Sequence, residues 1–378
     1  MHRSRPNPKC RHIGLARITA IILTGAGFAE EPDPTSRQNS QLAQYIGPGA
    51  SVYLSEHFEI AHDVPPSDLK PLTARLDGTY KAIARFVNHC GFSTEVQKPR
   101  LQILLFDSHD AFARHAAGLG VDAGPIAGFY DQNTHIAVFC NARDHFEIRQ
   151  LDEQIVNLTQ RLTPGETPPR GLSPPLNSAV ADQLLSLRKM RDVLIERYNR
   201  VTIQHEAAHQ VLFHFGVHAR GASNPLWLAE GLATQFEVPQ TNPQGRITNV
   251  NQLRLADFRD AAGNLSGMTK VKDEDIDSLF RSGRLIELEA FINDRDFNRS
   301  DDQVALRYAQ AWALVHFLLR EEPEAFSRYL QILSKQDPGM PERSTETADF
   351  QACFGPPNPA LQRRFVRSIL RLRFDPTR

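Results

Sequence analysis

The segment His205-Glu206-Ala207-Ala208-His209 sets two imidazoles four positions apart, with a carboxylate directly after the first. On a helix of 3.6 residues per turn, positions i and i+4 lie one above the other, so both rings present a nitrogen to a single ion. Glu206 projects about a quarter-turn away, close enough to take a proton from a water on that ion without ligating it. The chemistry written in H-E-x-x-H is therefore metal-assisted hydrolysis, with His205 and His209 as ligands and Glu206 as general base. Val201, Ile203, Ala207, Ala208, Val211, Leu212, Phe213 and Phe215 make the rest of the helix apolar. A helix buried on most sides carries two histidines and a glutamate only at a cost, unless they are paired or bound to metal.

A catalytic zinc takes three protein donors and keeps a fourth position open. The third candidate is Glu230, in Asn224-Pro225-Leu226-Trp227-Leu228-Ala229-Glu230-Gly231. Asn224 suits an N-cap and Pro225 the first helical position, which sets Glu230 near the second turn of a new helix. A helix-surface carboxylate is the plainer alternative, but the apolar residues from Leu226 to Ala229 favour coordination. His214 and His218 are rival donors. An extended histidine pattern, with a Gly three and a His six residues after the second motif histidine, needs them at 212 and 215, where Leu212 and Phe215 stand.

H-E-A-A-H followed by W-L-A-E-G resembles the gluzincins, the thermolysin-like and aminopeptidase-like zinc peptidases grouped as peptidase MA-like, and in particular an uncharacterised branch of secreted bacterial proteins. The resemblance is strong over 201–237 and looser in the segments on either side. It implies one zinc ion held by His205, His209 and Glu230, with Glu206 as base and a peptide or protein as substrate. Many relatives place an Asp four residues after the ligand Glu to support a histidine; this chain has Thr234 there. By the same resemblance, a Tyr or His from a later helix stabilises the oxyanion, which points to Tyr308, and the hairpin Ile126 to Cys140 offers an edge strand to an extended peptide. Two other readings fit the motif: a zinc-binding interaction module without catalysis, and a zinc hydrolase acting on a non-peptide substrate.

These residues need a frame, and 378 residues with 41% hydrophobic and 23% charged content are enough for about two core-bearing units. Lys plus Arg is 43 against 44 for Asp plus Glu, so no global field draws the chain to nucleic acid or to an anionic membrane. Residues 1–29 read as a signal peptide: Arg3, Arg5, Lys9, Arg11 and Arg17 precede an uncharged run from Ile18 to Ala29. That run is short of the ~20 apolar residues a span requires, and no later stretch is apolar enough. The expectation is a secreted, periplasmic or cell-envelope protein. Residues 30–50, rich in Pro, Ser, Gln and Gly, read as a linker.

The fold class expected is α+β. Residues 51–142 form a small mixed sheet lobe, with a strand pair at Ser51 to His62, a helix over Asp68 to Asn88, a strand at Leu101 to Phe106, a short helix from Ser108, and a hairpin turning at Asp131 to Thr134. Residues 143–200 form an inserted helical hairpin, whose second arm either runs straight into the motif helix or breaks near Asn199 to Thr202. Residues 201–378 form a helical lobe carrying the zinc site. Cleavage leaves Cys90, Cys140 and Cys353, at most one bridge; Cys90 and Cys140 share the N-terminal region and are the pair expected.

Overall fold

The run Leu101-Gln102-Ile103-Leu104-Leu105-Phe106 is apolar on both strand faces, as a central strand covered on both sides must be. It is β3 of a five-stranded sheet in the order β1-β2-β3-β5-β4. The computed structural model describes residues 38–94, 99–124, 126–162, 174–219, 224–238, 241–268, 270–297, 303–336 and 343–375. β1 (Ser51–Leu54) pairs antiparallel with β2 (Phe58–His62), β2 and β5 (Ile136–Cys140) lie parallel to β3, and β4 (Gly128–Asp131) closes the order antiparallel to β5. Alternation divides the core. Ile103, Leu105, Ala137 and Phe139 face the larger cluster, and Leu104, Phe106, Val138 and Cys140 face a smaller one on the opposite side.

The larger face is covered by α2 (Pro66–His89) and by α6 (Gln204–His214), the motif helix. The smaller face is covered by α3 (His109–Gly118) and by α1 (Gln38–Ile46), whose Leu42 is 2% exposed against the sheet. Residues 30–50 therefore do not form a linker throughout; the polar composition conceals one turn-rich helix that buries a single leucine. The signal-peptide reading of residues 1–29 lies outside the described residues. Cys90 belongs to one core cluster and Cys140 to the other, so the sheet separates the expected disulfide pair, and Cys90, Cys140 and Cys353 are all free thiols.

The helical hairpin is α4 (Phe146–Leu162) and α5 (Pro174–Tyr198). Arg191 Nε lies 2.5 Å from Asp152 and the Tyr198 hydroxyl donates to Glu147 at 2.6 Å, tying the two arms at both levels. Arg75 meets Glu196 at 2.7 Å, which fixes α5 to α2 as well. Between α5 and α6 the chain neither breaks nor continues as a plain α-helix: Asn199–Ile203 form one π-helical turn, with helical backbone on both flanks. A π turn accommodates one residue in excess of α-helical phase, and such turns collect at functional sites.

Beyond the motif helix come α7 (Leu226–Phe236), α8 (Gln252–Ala262), α9 (Asp273–Arg281), α10 (Leu288–Ile292), α11 (Val304–Glu321), α12 (Pro323–Leu333), α13 (Arg343–Phe354) and α14 (Pro359–Leu370). The class is α+β, a mixed sheet followed by a helical part. α11 is the buried axle, with Val304 and the whole run from Arg307 to Leu318 buried. No helix among the described residues is long and apolar enough to cross a membrane. α7 approaches α11 closely at Gly231, where a Cβ would stand 2.5 Å from Val315 Cγ2 and 2.7 Å from the Ala311 carbonyl oxygen. Gly231→Ala is expected to cost about 1–3 kcal/mol by overpacking, read as a lower urea midpoint at unchanged m-value. An unaltered midpoint would show that the α7–α11 contact yields freely.

Candidate metal centre

α6 owes its position to Gln210, whose Nε2 donates to the Gln102 and His135 carbonyl oxygens, both at 2.8 Å. That anchor locks the helix against β3 and the β4–β5 turn. α7 enters differently from the sequence expectation: it begins at Leu226 with Pro225 as its cap residue. Asn224 instead staples the preceding loop, accepting from Ala219 N at 3.2 Å and donating to Ala219 O at 3.0 Å.

The two helices bring His205, His209 and Glu230 into one buried group, with a donor atom from each within 4.8 Å of the others. His205 Nε2 lies 3.0 Å from Glu230 Oε2 and 3.1 Å from His209 Nε2, and His209 Nε2 lies 3.6 Å from the same carboxylate oxygen. A tetrahedral ion with ligands at 2.0–2.1 Å separates its donors by about 3.3 Å. The three observed separations straddle that value. The group can hold a metal ion.

Burial of Glu230 and of His205 works against charge on both. His209 and His205 nonetheless hold Glu230 well below the ordinary carboxylate range, and the hydrogen bonds to Glu230 and Glu237 raise His205. Glu206 is 2% exposed; the Tyr130 backbone N–H donates to its carboxylate, while its Oε2 is buried with no hydrogen-bond partner. Burial, opposed by His205, raises Glu206 to about 8. The N–H that serves Glu206 belongs to β4, and all four β4 residues are buried, with Gly128 packed so that a Cβ would meet Thr202 Cγ2 at 2.9 Å. The edge that sequence resemblance gave to an incoming peptide is thus closed by the motif helix and its π turn.

The residue that sequence reading did not single out is Glu237. His205 Nδ1 lies 3.1 Å from Glu237 Oε1, and a ring donating there would present Nε2 to an ion. Arg254 clamps Glu237 from the other side, Nη2 to Oε1 at 2.5 Å and Nε to Oε2 at 3.1 Å, and Asn251 Nδ2 adds a bond to Oε2 at 2.7 Å. Burial would neutralise Glu237, but Arg254 first and His205 second hold its carboxyl down. Thr234, at the position where relatives carry an Asp, turns away and donates to the Gly231 carbonyl at 2.8 Å. The signal available in sequence was only that Glu237 follows Glu230 by two helical turns on an apolar helix.

Tyr308 is 2% exposed, its ring 6.0 Å from that of His205 and 5.5 Å beneath the Arg254 guanidinium. Its ring partner is Phe297 at 5.9 Å, and Trp312 stacks on His316 instead. The rival donors separate: His214 tilts against Tyr80, at 5.9 Å, away from the triad. His218 is 1% exposed, sits in the field of His209 and Glu230, and has neither ring nitrogen hydrogen-bonded.

Residues 199–339 match a family model described as "Protein of unknown function (DUF1570)". The matched stretch contains His205, Glu206, His209, Glu230, Glu237 and Tyr308, and excludes the sheet and the hairpin arms. No curated protein and no solved structure matches the chain.

Two outcomes follow from this geometry. Glu237→Gln keeps the shape and removes the charge that orients His205, so metal affinity, measured by chelator competition with zinc as the probe, should fall roughly 10–100-fold. Undiminished affinity would leave Glu237 with a purely structural part. His316 is buried neutral, its pKa lowered by burial to about 4 from 6.5. Its unfolded form binds a proton first, so the stability it permits is complete above pH 6.5 and is lost toward pH 4, at up to roughly 1.4 kcal/mol per unit. In chelator-treated protein, His316→Leu should therefore show a shallower fall in Tm between pH 6.5 and 4 than the wild type; parallel profiles would contradict the assignment.

Proposed function

We propose that this protein is a zinc-dependent hydrolase of peptide bonds, with Glu206 as general base. The observation that carries the reading is the set of three donors at 3.0–3.6 Å, two imidazoles and one carboxylate, with a fourth titratable group, Glu206, buried beside them. Nitrogen and mixed N/O donor sets at this spacing suit zinc, whereas magnesium and calcium take oxygen ligands. Zinc bound there supplies Lewis acidity, polarising a carbonyl and lowering the pKa of water toward ~7.

The chain's own residues then do the remaining work. His205 is held in the tautomer that leaves Nε2 available, by Glu237, and Glu237 is held charged by Arg254. Glu206 accepts a proton at its unpartnered Oε2 and returns it to the leaving amine, a role suited by burial that raises its pKa toward neutrality. Tyr308 stands on the His205 side of the group and is the candidate hydroxyl for a developing oxyanion. The resemblance to gluzincins supports amide bonds over other substrates, and the basic residues followed by the uncharged run Ile18 to Ala29, read as a signal peptide, support export.

One observation favours a second reading. His205, Glu206, His209 and Glu230 are each 2% exposed or less, a degree of closure that suits a structural metal site in an interaction module. Wild type and Glu206→Gln incubated with a diverse peptide library, read by mass spectrometry, separate the two. Catalysis predicts that Glu206→Gln keeps about one zinc per chain and loses on the order of 10²–10⁴ in turnover. Equal turnover in the variant, or no cleavage by zinc-loaded wild type, would sink the hydrolase reading.

A further inference from the structure

A cleft of about 1220 Å³ opens on the Nδ1 side of His205, lined there by Glu237 and Val201. Its walls come from the end of α5, the π turn, the segment leading into α8, the end of α11 and the strand of chain after α14. Five arginines line it: Arg197, Arg200, Arg320, Arg371 and Arg373. None of the five takes part in an ion pair among the described residues, and Arg197 Nε is buried with no hydrogen-bond partner. The acidic residues in the lining are Glu237, already consumed by Arg254 and His205, and Asp375. Asp257, raised by burial, feels the charges of Arg254 and Arg197 and opposes them in turn. In a chain whose total charge is −1, that concentration of cations in one recess is a local design.

Guanidinium groups without partners select carboxylates and phosphates, which they grip through paired N–H donors. Between them the lining mixes polar groups, Thr248, Asn249, Asn251 and Gln252, with apolar ones, Val201, Leu253, Leu372 and the exposed Val193 and Phe374, 58% and 37% accessible. A free phosphate would leave the apolar part of this surface wet, and a nucleic-acid strand wants successive aromatic platforms where the lining offers Phe374 alone. The volume exceeds the ~300–1,000 Å³ that encloses a drug-sized ligand, which fits an extended segment. We infer that the cleft docks an acidic polypeptide segment in which Asp or Glu alternates with apolar residues. That the segment belongs to a substrate rests on the hydrolase reading; that the cleft binds it does not.

The test uses the full chain carrying Glu206→Gln, loaded with zinc, and a fluorescent peptide of alternating Glu and Leu, followed by anisotropy. Binding is expected to be at least about tenfold tighter than for the matched Gln/Leu peptide and to weaken with salt. Arg320 and Arg371 are exposed, so the double variant Arg320→Glu/Arg371→Glu should fold normally and lose about tenfold in affinity for the acidic peptide. Equal binding of the two peptides, indifference to the charge reversal, or capture of inorganic polyphosphate with no binding of the acidic peptide overturns the inference. Acidic-peptide binding in a protein whose wild type cleaves nothing would leave the cleft assignment standing and the hydrolase reading alone refuted.

Discussion

His205 stands between two carboxylates, Nε2 toward Glu230 and Nδ1 toward Glu237, in a place that water barely reaches. Taking such groups out of water costs several kcal/mol per ion, and the fold recovers that only by bringing every partner into exact register. The carboxylates arrive from one helix, the histidines from another, and Arg254 from a third. Asn251 ties the arrangement off: it caps α8 through Arg254 N, holds the Thr234 carbonyl at the end of α7, and bonds Glu237. The apolar core shared by these helices brings them together, and the charge balance sets which polar groups face one another where they meet.

The supporting architecture answers to the same demand. α6 must be pinned, which Gln210 does by reaching two carbonyl oxygens of the sheet. α7 must lie deep enough for Glu230 to reach across, which the missing side chain at Gly231 permits against α11. The sheet contributes more than a platform, since β4 turns a backbone N–H toward Glu206 and shapes the one carboxylate of the group without a cationic partner of its own. Position, protonation and packing are one problem here.

What could be read from sequence follows how local each interaction is. His205, Glu206 and His209 share one helix, so their relation is fixed by helical geometry and is visible in five residues. Glu230 lies on the next element and was inferable from its apolar neighbours. Glu237, Arg254 and Asn251 meet His205 across separations that only tertiary packing determines, and no spacing rule reports them. α1 escaped because a helix that buries one leucine carries little periodic signal. The cysteine pairing failed for a simpler reason: proximity in sequence does not say on which face of a sheet a thiol falls. The hairpin edge was legible as a strand, while its cover was not, since the covering helix comes seventy residues later.

The π turn between α5 and α6 has a consequence for how this chain can change its length. From Pro174 to His214 the backbone winds without interruption, so each residue added or removed rotates everything downstream by about 100°. α5 is held in azimuth by Asp152, Glu147 and Arg75, and α6 by the sheet carbonyls. The single excess residue of Asn199–Ile203 is the phase correction that lets both clamps be satisfied at once. The connection therefore behaves like a keyed shaft, on which the number of residues between the hairpin and His205 is as much a part of the metal site as the identities of its donors.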